Sequence, residues 1–504
     1  MSQDLQQYHP VDCLYKGLAM DPEAIAAQDE NDCLSYRELS AKSEALAAAI
    51  AERVPEGGKV AICARNSCDH LCAFLAIVLA GRIWVPMNPR NGREQNAAAL
   101  ARVRPELLLV DSYSAGALDA PGTPTIYLDG APAGGESMDT VCAPHRGRPF
   151  TAARPALDAV MAIKFTGGTT GEPKGVVQTH RNVAAVIASF QDFYQLKARD
   201  INLAVAPLTH GASHYVLPIL AAGGKHLLST KVDPDALVAA IRDAGVTVTF
   251  MPPTLIYKLI ESPLATPEAM RSLRHLTYSA APMPGEKIAA AQAALGPCIS
   301  TVYGQTEAPM MISALGPEEM RLDHLRASVG RAAPFASVCI RDAGGRPCEP
   351  GAVGEITVRG DIVTPGYFES PDKTAEAIRD GWLYTGDLGY LDEQGYLYIC
   401  GRSKEVIISG GFNVYPAEVE SALMEVDGIL ECVVVGVADD YWGERVEAVI
   451  RAREGSLPLD DLRERIKARV GPVKAPKQYH VWKDIPRNPV GKIVRRDICQ
   501  LLAQ

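Results

Sequence analysis

A chain of 504 residues exceeds one ordinary domain, and 47% hydrophobic with 22% charged residues gives it ample material for packed cores. Its formal net charge of −10 argues against a general nucleic-acid coat, although charge can still be local. The longest apolar run, Leu71 to Ala80, is too short to span a bilayer, and MSQDLQQYHP shows no basic segment followed by an apolar one, so a cytoplasmic enzyme is expected. Twelve cysteines are scattered without a CxxC pair. Cys63, Cys68 and Cys72 are the densest group and read as small buried thiols of a reducing compartment rather than metal ligands.

In chain order, SYRELSAKSEALAAAIAERV (35–54) spaces Leu39, Leu46 and Ile50 as a helix does, and KVAICA (59–64) reads as a buried strand. DHLCAFLAIVLAG predicts a buried helix ended by Gly81, and IWVPMNP (83–89) a strand stopped by Pro89. The same alternation recurs at THRNVAAVIASF, VTVTFMPPTLIYKLI and SLRHLTYSAAPMP. Such alternation predicts an α/β body with mainly parallel sheets and flanking helices. After about residue 340, GEITVRG, GYLYICGRS and EVIISGG are short strands of a β-rich unit. From Lys404 a second α/β pattern begins, with a helix at PAEVESALMEV, a strand at ECVVVGV and a helix at LDDLRERIKARV. The domain boundary is expected close to Gly401–Lys404, giving units 1–402 and 403–504. The last stretch is basic: Lys474, Lys477, Lys483, Arg487, Lys492, Arg495 and Arg496 form either a solvated face or a surface for a phosphate-rich ligand.

The chemistry concentrates in five stretches. FTGGTTGEPKGVV (165–177) packs glycines, threonines and Lys174 between apolar flanks. Glycine lets backbone approach a ligand, and hydroxyl, amide and ammonium groups all donate to anionic oxygens, so the loop reads as a phosphate cradle. It is not a Walker A sequence, since it runs into a strand, and a bare glycine-rich turn is the competing reading. YGQTE (303–307) offers Glu307 as a hard oxygen ligand suited to Mg²⁺ and Thr306 as a donor to phosphate. YTGDLGYLDEQGYLYICGRSKEVI (384–407) holds Asp387 in a glycine turn, where a carboxylate accepts from ribose hydroxyls, with Arg402 adding charge. SGGFNVYPAEVE (409–420) and NPVGKIVRR (488–496) complete the set.

In this order and spacing the five stretches resemble the adenylate-forming superfamily of acyl-CoA synthetases, carrier-loading adenylation domains and beetle luciferases, from about LSYREL (34–39) to Lys492. The resemblance implies a large N-terminal domain and a small mobile α+β C-terminal domain, with ATP and coenzyme A as substrates and Mg²⁺ as the metal. Carried onto this chain, it implies that Thr166, Gly167, Gly168, Thr169, Thr170, Gly171 and Lys174 wrap the β- and γ-phosphates. Gly167 stands where serine is commoner, which removes one hydroxyl donor. Tyr303, Gly304 and Thr306 belong to the nucleotide side, Glu307 to the metal, Asp387 to the ribose and Arg402 to a second nucleotide contact. Lys492 resembles the catalytic lysine of adenylation, His210 the residue at the acyl pocket, and Lys404 the hinge.

Amino-acid-activating relatives carry an aspartate just after the position of His210, whereas Gly211, Ala212 and Ser213 follow it here. A substrate ammonium would have no partner there, so a non-amino acid is expected, aryl, alicyclic or medium-chain. Gly211, Ser213, Ala280, Ala281 and Pro282 are the expected pocket, and His214 reads as either pocket or core. Gly410 and Gly411 resemble the glycines of the pantetheine tunnel, and Trp442 reads as a buried core residue or a neighbour of the coenzyme A adenine. No carrier domain follows Lys492, so coenzyme A is the expected acceptor, a carrier-protein pantetheine the alternative. A homodimer would be usual for such a family.

Overall fold

The computed structural model describes residues 4–166, 173–439, 441–453, 459–487 and 493–502. The predicted helices form where periodicity places them, each with a local reason to start. Tyr36–Arg53 begins at Ser35, whose hydroxyl accepts from the Glu38 amide while the Glu38 carboxylate returns to the Ser35 amide. Cys68–Leu79 is capped by Ser67 and followed by Gly81 at φ +66°, and His180–Tyr194 is capped by Thr179.

Among the described residues the strands build four sheets, of nine, seven, five and five strands. The nine-stranded sheet has at its centre four neighbouring parallel strands, Ile201–Ala204, Val248–Met251, His275–Tyr278 and Ile299–Tyr303. The seven-stranded sheet ends in an antiparallel pair, Val160–Thr166 and Lys174–Thr179, whose register sets Thr166 opposite Lys174 across the glycine-rich loop. The large core packs between these two sheets around Phe190, Tyr194, Tyr215 and the helix Cys68–Leu79. Burial pushes the thiol of Cys72 up to about 12 and removes it as a nucleophile at neutral pH.

Trp382–Leu391 and Leu397–Arg402 are neighbours in the β-rich sheet. The chain leaves that sheet at Arg402, makes a 3-10 turn over Ser403–Glu405, and enters the last sheet at Ile407–Ser409. That last sheet is a separate layer with its own apolar cluster, which includes Ile407, Val434, Ile450, Leu462 and Ile466. The helix Pro416–Met424 packs on it and also touches Leu397–Arg402 of the preceding sheet. No described helix is long and apolar enough to cross a membrane.

Candidate active site

In an open sheet of parallel strands, ligands are taken in the crevice beyond the carboxyl ends, where loops diverge. Four such ends lie side by side here, and the expected acyl-pocket residues and the YGQTE stretch follow three of them. His210 and Gly211 come after Ile201–Ala204, Phe250 sits at the end of Val248–Met251, Ala280 follows His275–Tyr278, and Gly304–Glu307 follow Ile299–Tyr303. The loop after Tyr303 folds back so closely that a Cβ on Gly304 would lie 2.4 Å from the Met310 amide nitrogen. A Cβ on Gly211 would meet the Phe250 ring at 3.3 Å and the Met310 sulfur at 3.4 Å. Gly211, Phe250 and Met310 therefore share one apolar wall. Two non-glycine residues here hold left-handed backbone, Ala280 at φ +72° and Met310 at φ +61°. Such conformations cost about 1–3 kcal/mol and gather at binding sites. Ala280, Ala281 and Pro282 are exposed at the crevice rim, as is His210, whose Nδ1 meets the Thr209 hydroxyl at 2.9 Å.

Around Asp387, the expected ribose contact, the sheet register does the positioning. Asp387 pairs directly with Arg402 on the neighbouring strand, and the Arg402 Nε donates to Asp387 Oδ1 at 2.6 Å. The Tyr303 hydroxyl and the Gln305 amide donate to Oδ2 at 2.6 and 2.7 Å. Asp387 is only 4% exposed, and three donors meet its carboxylate. Burial, and then the Asp387 carboxylate, push the Tyr303 hydroxyl well above its ordinary range, so it stays a donor.

Glu307 and Lys174 are joined through one residue that sequence reading missed. The Tyr367 hydroxyl donates to Glu307 Oε1 at 2.8 Å, and the Lys174 ammonium lies 5.4 Å from the Tyr367 ring centroid. The backbone supports this, with the Thr364 amide on the Glu307 carbonyl at 2.8 Å and the Phe368 amide on the Gly175 carbonyl at 2.7 Å. Among the described residues no other side-chain donor reaches the Glu307 carboxylate, which leaves Oε2 as a hard oxygen of the kind magnesium takes. Gln178, also unremarked in the sequence, donates from its amide to the Thr306 carbonyl at 2.9 Å.

Gly167, Gly168, Thr169, Thr170, Gly171, Lys492 and the side chain of Thr166 lie outside the described residues. Gly410 and Gly411 form an exposed turn at φ +57° and +81°, and Gly410 packs against the Trp442 ring. Trp442 is half-buried, not a core residue, and the Lys477 ammonium sits 5.0 Å from its ring centroid. Three cations of the basic C-terminal stretch are taken up by ion pairs with distant glutamates. Lys474 meets Glu418 at 2.7 Å, Arg487 meets Glu431, and Arg495 meets Glu420 at 2.8 Å and Glu405 at 3.0 Å. Lys404 is exposed within the 3-10 turn between the two sheets.

Comparison with known proteins gives two family matches, "AMP-binding enzyme" over residues 15–368 and "AMP-binding enzyme C-terminal domain" over residues 418–492. An indoleacetate–CoA ligase of Aromatoleum aromaticum is 32% identical, with 96% of each chain covered. The medium/long-chain-fatty-acid–CoA ligase FadD8 of Mycobacterium tuberculosis is 34% identical over 70% of this chain, a match spanning 63% of the relative's length. Among solved structures, the amide bond synthetase McbA of Marinactinospora thermotolerans superposes with a TM-score of 0.90 at 27% identity, covering 98% of this chain and 99% of the other.

Proposed function

The chain belongs to the AMP-binding enzyme family, and from that membership we propose a full reading: it is an AMP-forming acid–thiol ligase that activates a non-amino carboxylic acid with ATP and passes the acyl group to coenzyme A. The single observation that supports it best is the Asp387 carboxylate, held by Tyr303, Gln305 and Arg402 beside Thr306 and Glu307.

A carboxylate is a poor electrophile, so the acid must first acquire a better leaving group. The acid carboxylate attacks the α-phosphorus of ATP, pyrophosphate leaves, and the product is an acyl-adenylate. A thiolate then attacks the acyl carbon, and AMP departs. Two anions approach in the first step, so this chain's part is to place positive charge and donors around the phosphates. Lys174, with Thr166, Gly167, Gly168, Thr169, Thr170 and Gly171, would hold the β- and γ-phosphates, and Thr306 would donate to the α-phosphate. Lys492 would offset the charge that builds during attack. Glu307 fits a magnesium ion, which when bound supplies further positive charge against the phosphoryl oxygens. Tyr367 keeps the Glu307 carboxylate oriented from the side of Lys174. Asp387 retains unused lone pairs beyond its three protein donors and can accept from ribose hydroxyls, with Arg402 as the second nucleotide contact.

The wall of Gly211, Phe250 and Met310 suits an aryl, alicyclic or medium-chain acid, and His210, Ser213, Ala280, Ala281 and Pro282 would complete the pocket. Gly410 and Gly411 would line the path of the pantetheine thiol once the C-terminal unit turns about Lys404. The test is a panel of carboxylic acids scored for ATP-dependent pyrophosphate release, with coenzyme A, a pantetheinylated carrier or a simple amine as acceptor. Acyl-CoA as the dominant product is expected. A product formed only with carrier or amine would overturn the acceptor.

A further inference from the structure

The nucleotide side of the crevice satisfies its buried charge, but one buried charge on the acid side is left without a counter-ion. Lys164 lies on the strand Val160–Thr166, just before the phosphate loop, and is only 7% exposed. Its ammonium meets two neutral acceptors, the Ser213 hydroxyl at 3.3 Å and His214 Nε2 at 3.1 Å. His214 Nδ1 faces the Gly211 carbonyl at 3.3 Å, where it donates, which leaves Nε2 to accept from Lys164. The Trp84 ring lies beneath the ammonium, 4.9 Å to its centroid. Among the described residues no carboxylate pairs with Lys164.

These groups line a small cavity whose other walls include Phe74, Met161, Val186 and Leu217. Two polar atoms of the lining, Trp84 Nε1 and Gln178 Oε1, are buried without a hydrogen-bond partner. An isolated buried ammonium costs several kcal/mol, and a fold keeps such a group where something else completes it. Two links tie the cavity lining to the proposed acyl position. Ser213 and His214 lie on the same short 3-10 helix as Gly211, and the amide of Gln178 reaches the Thr306 carbonyl.

We propose that Lys164, with Trp84 Nε1 as a second donor, binds a distal carboxylate of the substrate, so that the acid activated here is a compact dicarboxylic acid with one carboxyl group adenylated and the other paired with Lys164. This rests on the ligase reading above and narrows its substrate class. An ammonium on the substrate would be repelled from the same place, consistent with the absence of an acidic residue after His210. Burial alone pushes the lysine down to about 7, and an anionic partner would restore its charge. Pairing would use the one ammonium proton not directed at Ser213 or His214.

The experiment pairs aliphatic and aromatic dicarboxylic acids with their own monomethyl esters and measures the binding of each by calorimetry, in the presence of a non-hydrolysable ATP analogue. The native chain, Lys164→Met and Lys164→Gln are compared, two variants being used so that misfolding of one leaves the other. For at least one acid the native chain is expected to prefer diacid over ester by about 100-fold, the scale of a desolvated charge pair. In the variants that ratio should collapse toward one. A preference that survives both substitutions, or esters bound as well as diacids throughout, overturns the proposal. Pyrophosphate release on the same panel separates this from the ligase reading. Turnover of acids without a Lys164-dependent diacid preference leaves the ligase and removes the subsite, whereas the binding preference without pyrophosphate release from any acid does the reverse.

Discussion

Asp387 and Lys164 are buried to nearly the same degree, 4% and 7% exposed, and the fold treats them oppositely. Asp387 stands across a strand pair from Arg402 and takes three donors within 2.7 Å. Lys164 also sits on a strand, but its partners are a hydroxyl and an imidazole, both neutral. The surroundings of Asp387, the proposed nucleotide contact, are thus assembled by sheet register, while Lys164, on the proposed acid side, keeps a charge for a ligand to complete. A nucleotide common to every turnover rewards a preformed clamp. A pocket that must choose among acids gains discrimination from a group that is costly until the right partner enters.

The largest effect is expected at Lys492, the proposed charge of the adenylation step, which is neither of the two buried groups. Lys492→Ala should slow acyl-adenylate formation by about 10²–10³, the loss typical of one electrostatic contact to a developing charge. Thioester formation from preformed acyl-adenylate should be largely retained, and equal loss of both half-reactions, followed separately by rapid quench, would move the catalytic charge elsewhere. Next, Asp387→Asn should raise the KM for ATP by about tenfold or more with little change for the acid, since charge-assisted hydrogen bonds contribute about 1.5–3 kcal/mol. Superimposable ATP titrations of mutant and parent would make Asp387 a purely structural link between strands. Lys404→Pro should slow thioester formation by about tenfold and leave pyrophosphate release nearly unchanged, because a fixed φ hinders the turn between the two sheets. Single-turnover measurement of both products on one preparation checks this, and unchanged rates for both would remove the hinge.

The smallest effect is on stability, and it has the opposite sign from a usual core substitution. Lys164→Met should stabilise the chain by about 1 kcal/mol at neutral pH, because it replaces a buried charge by an apolar group of similar length. The folded state depresses the lysine from 10.5 to about 7, so between those values the unfolded chain binds more protons. The penalty is therefore complete below about pH 7 and fades as pH rises toward 10.5. The advantage of the methionine variant, read from denaturant midpoints, should shrink over that window. A constant or growing advantage would contradict the charge argument.

Helices and strands were legible in the sequence because their periods and caps are local: Ser35 with Glu38 and Ser67 ahead of Cys68–Leu79 are examples. The pairing of Asp387 with Arg402 was within reach for the same reason, a hairpin between them. Tyr367 was not legible, since its partner Glu307 lies sixty positions away and nothing in TPGYF marks the contact. Gln178 escaped likewise, its partner being Thr306. Lys164 did carry a signal, a lone charge inside the apolar run VMAIKF, which a buried strand rarely tolerates. The basic C-terminal stretch read as either a solvated face or a surface for a phosphate-rich ligand; choosing between them needed Glu405, Glu418, Glu420 and Glu431, distant in sequence, which pair with Lys474, Arg487 and Arg495.

On the proposed reading this chain joins a carboxylic acid to coenzyme A through AMP. The most direct measurement is a balance of products from one incubation with ATP, Mg²⁺, coenzyme A and the acid panel. Pyrophosphate, AMP and acyl-CoA should appear in equal amounts with at least one acid, and acyl-adenylate should accumulate when coenzyme A is left out. Release of ADP and phosphate, or acyl-adenylate that persists unconsumed when coenzyme A is present, would contradict the account.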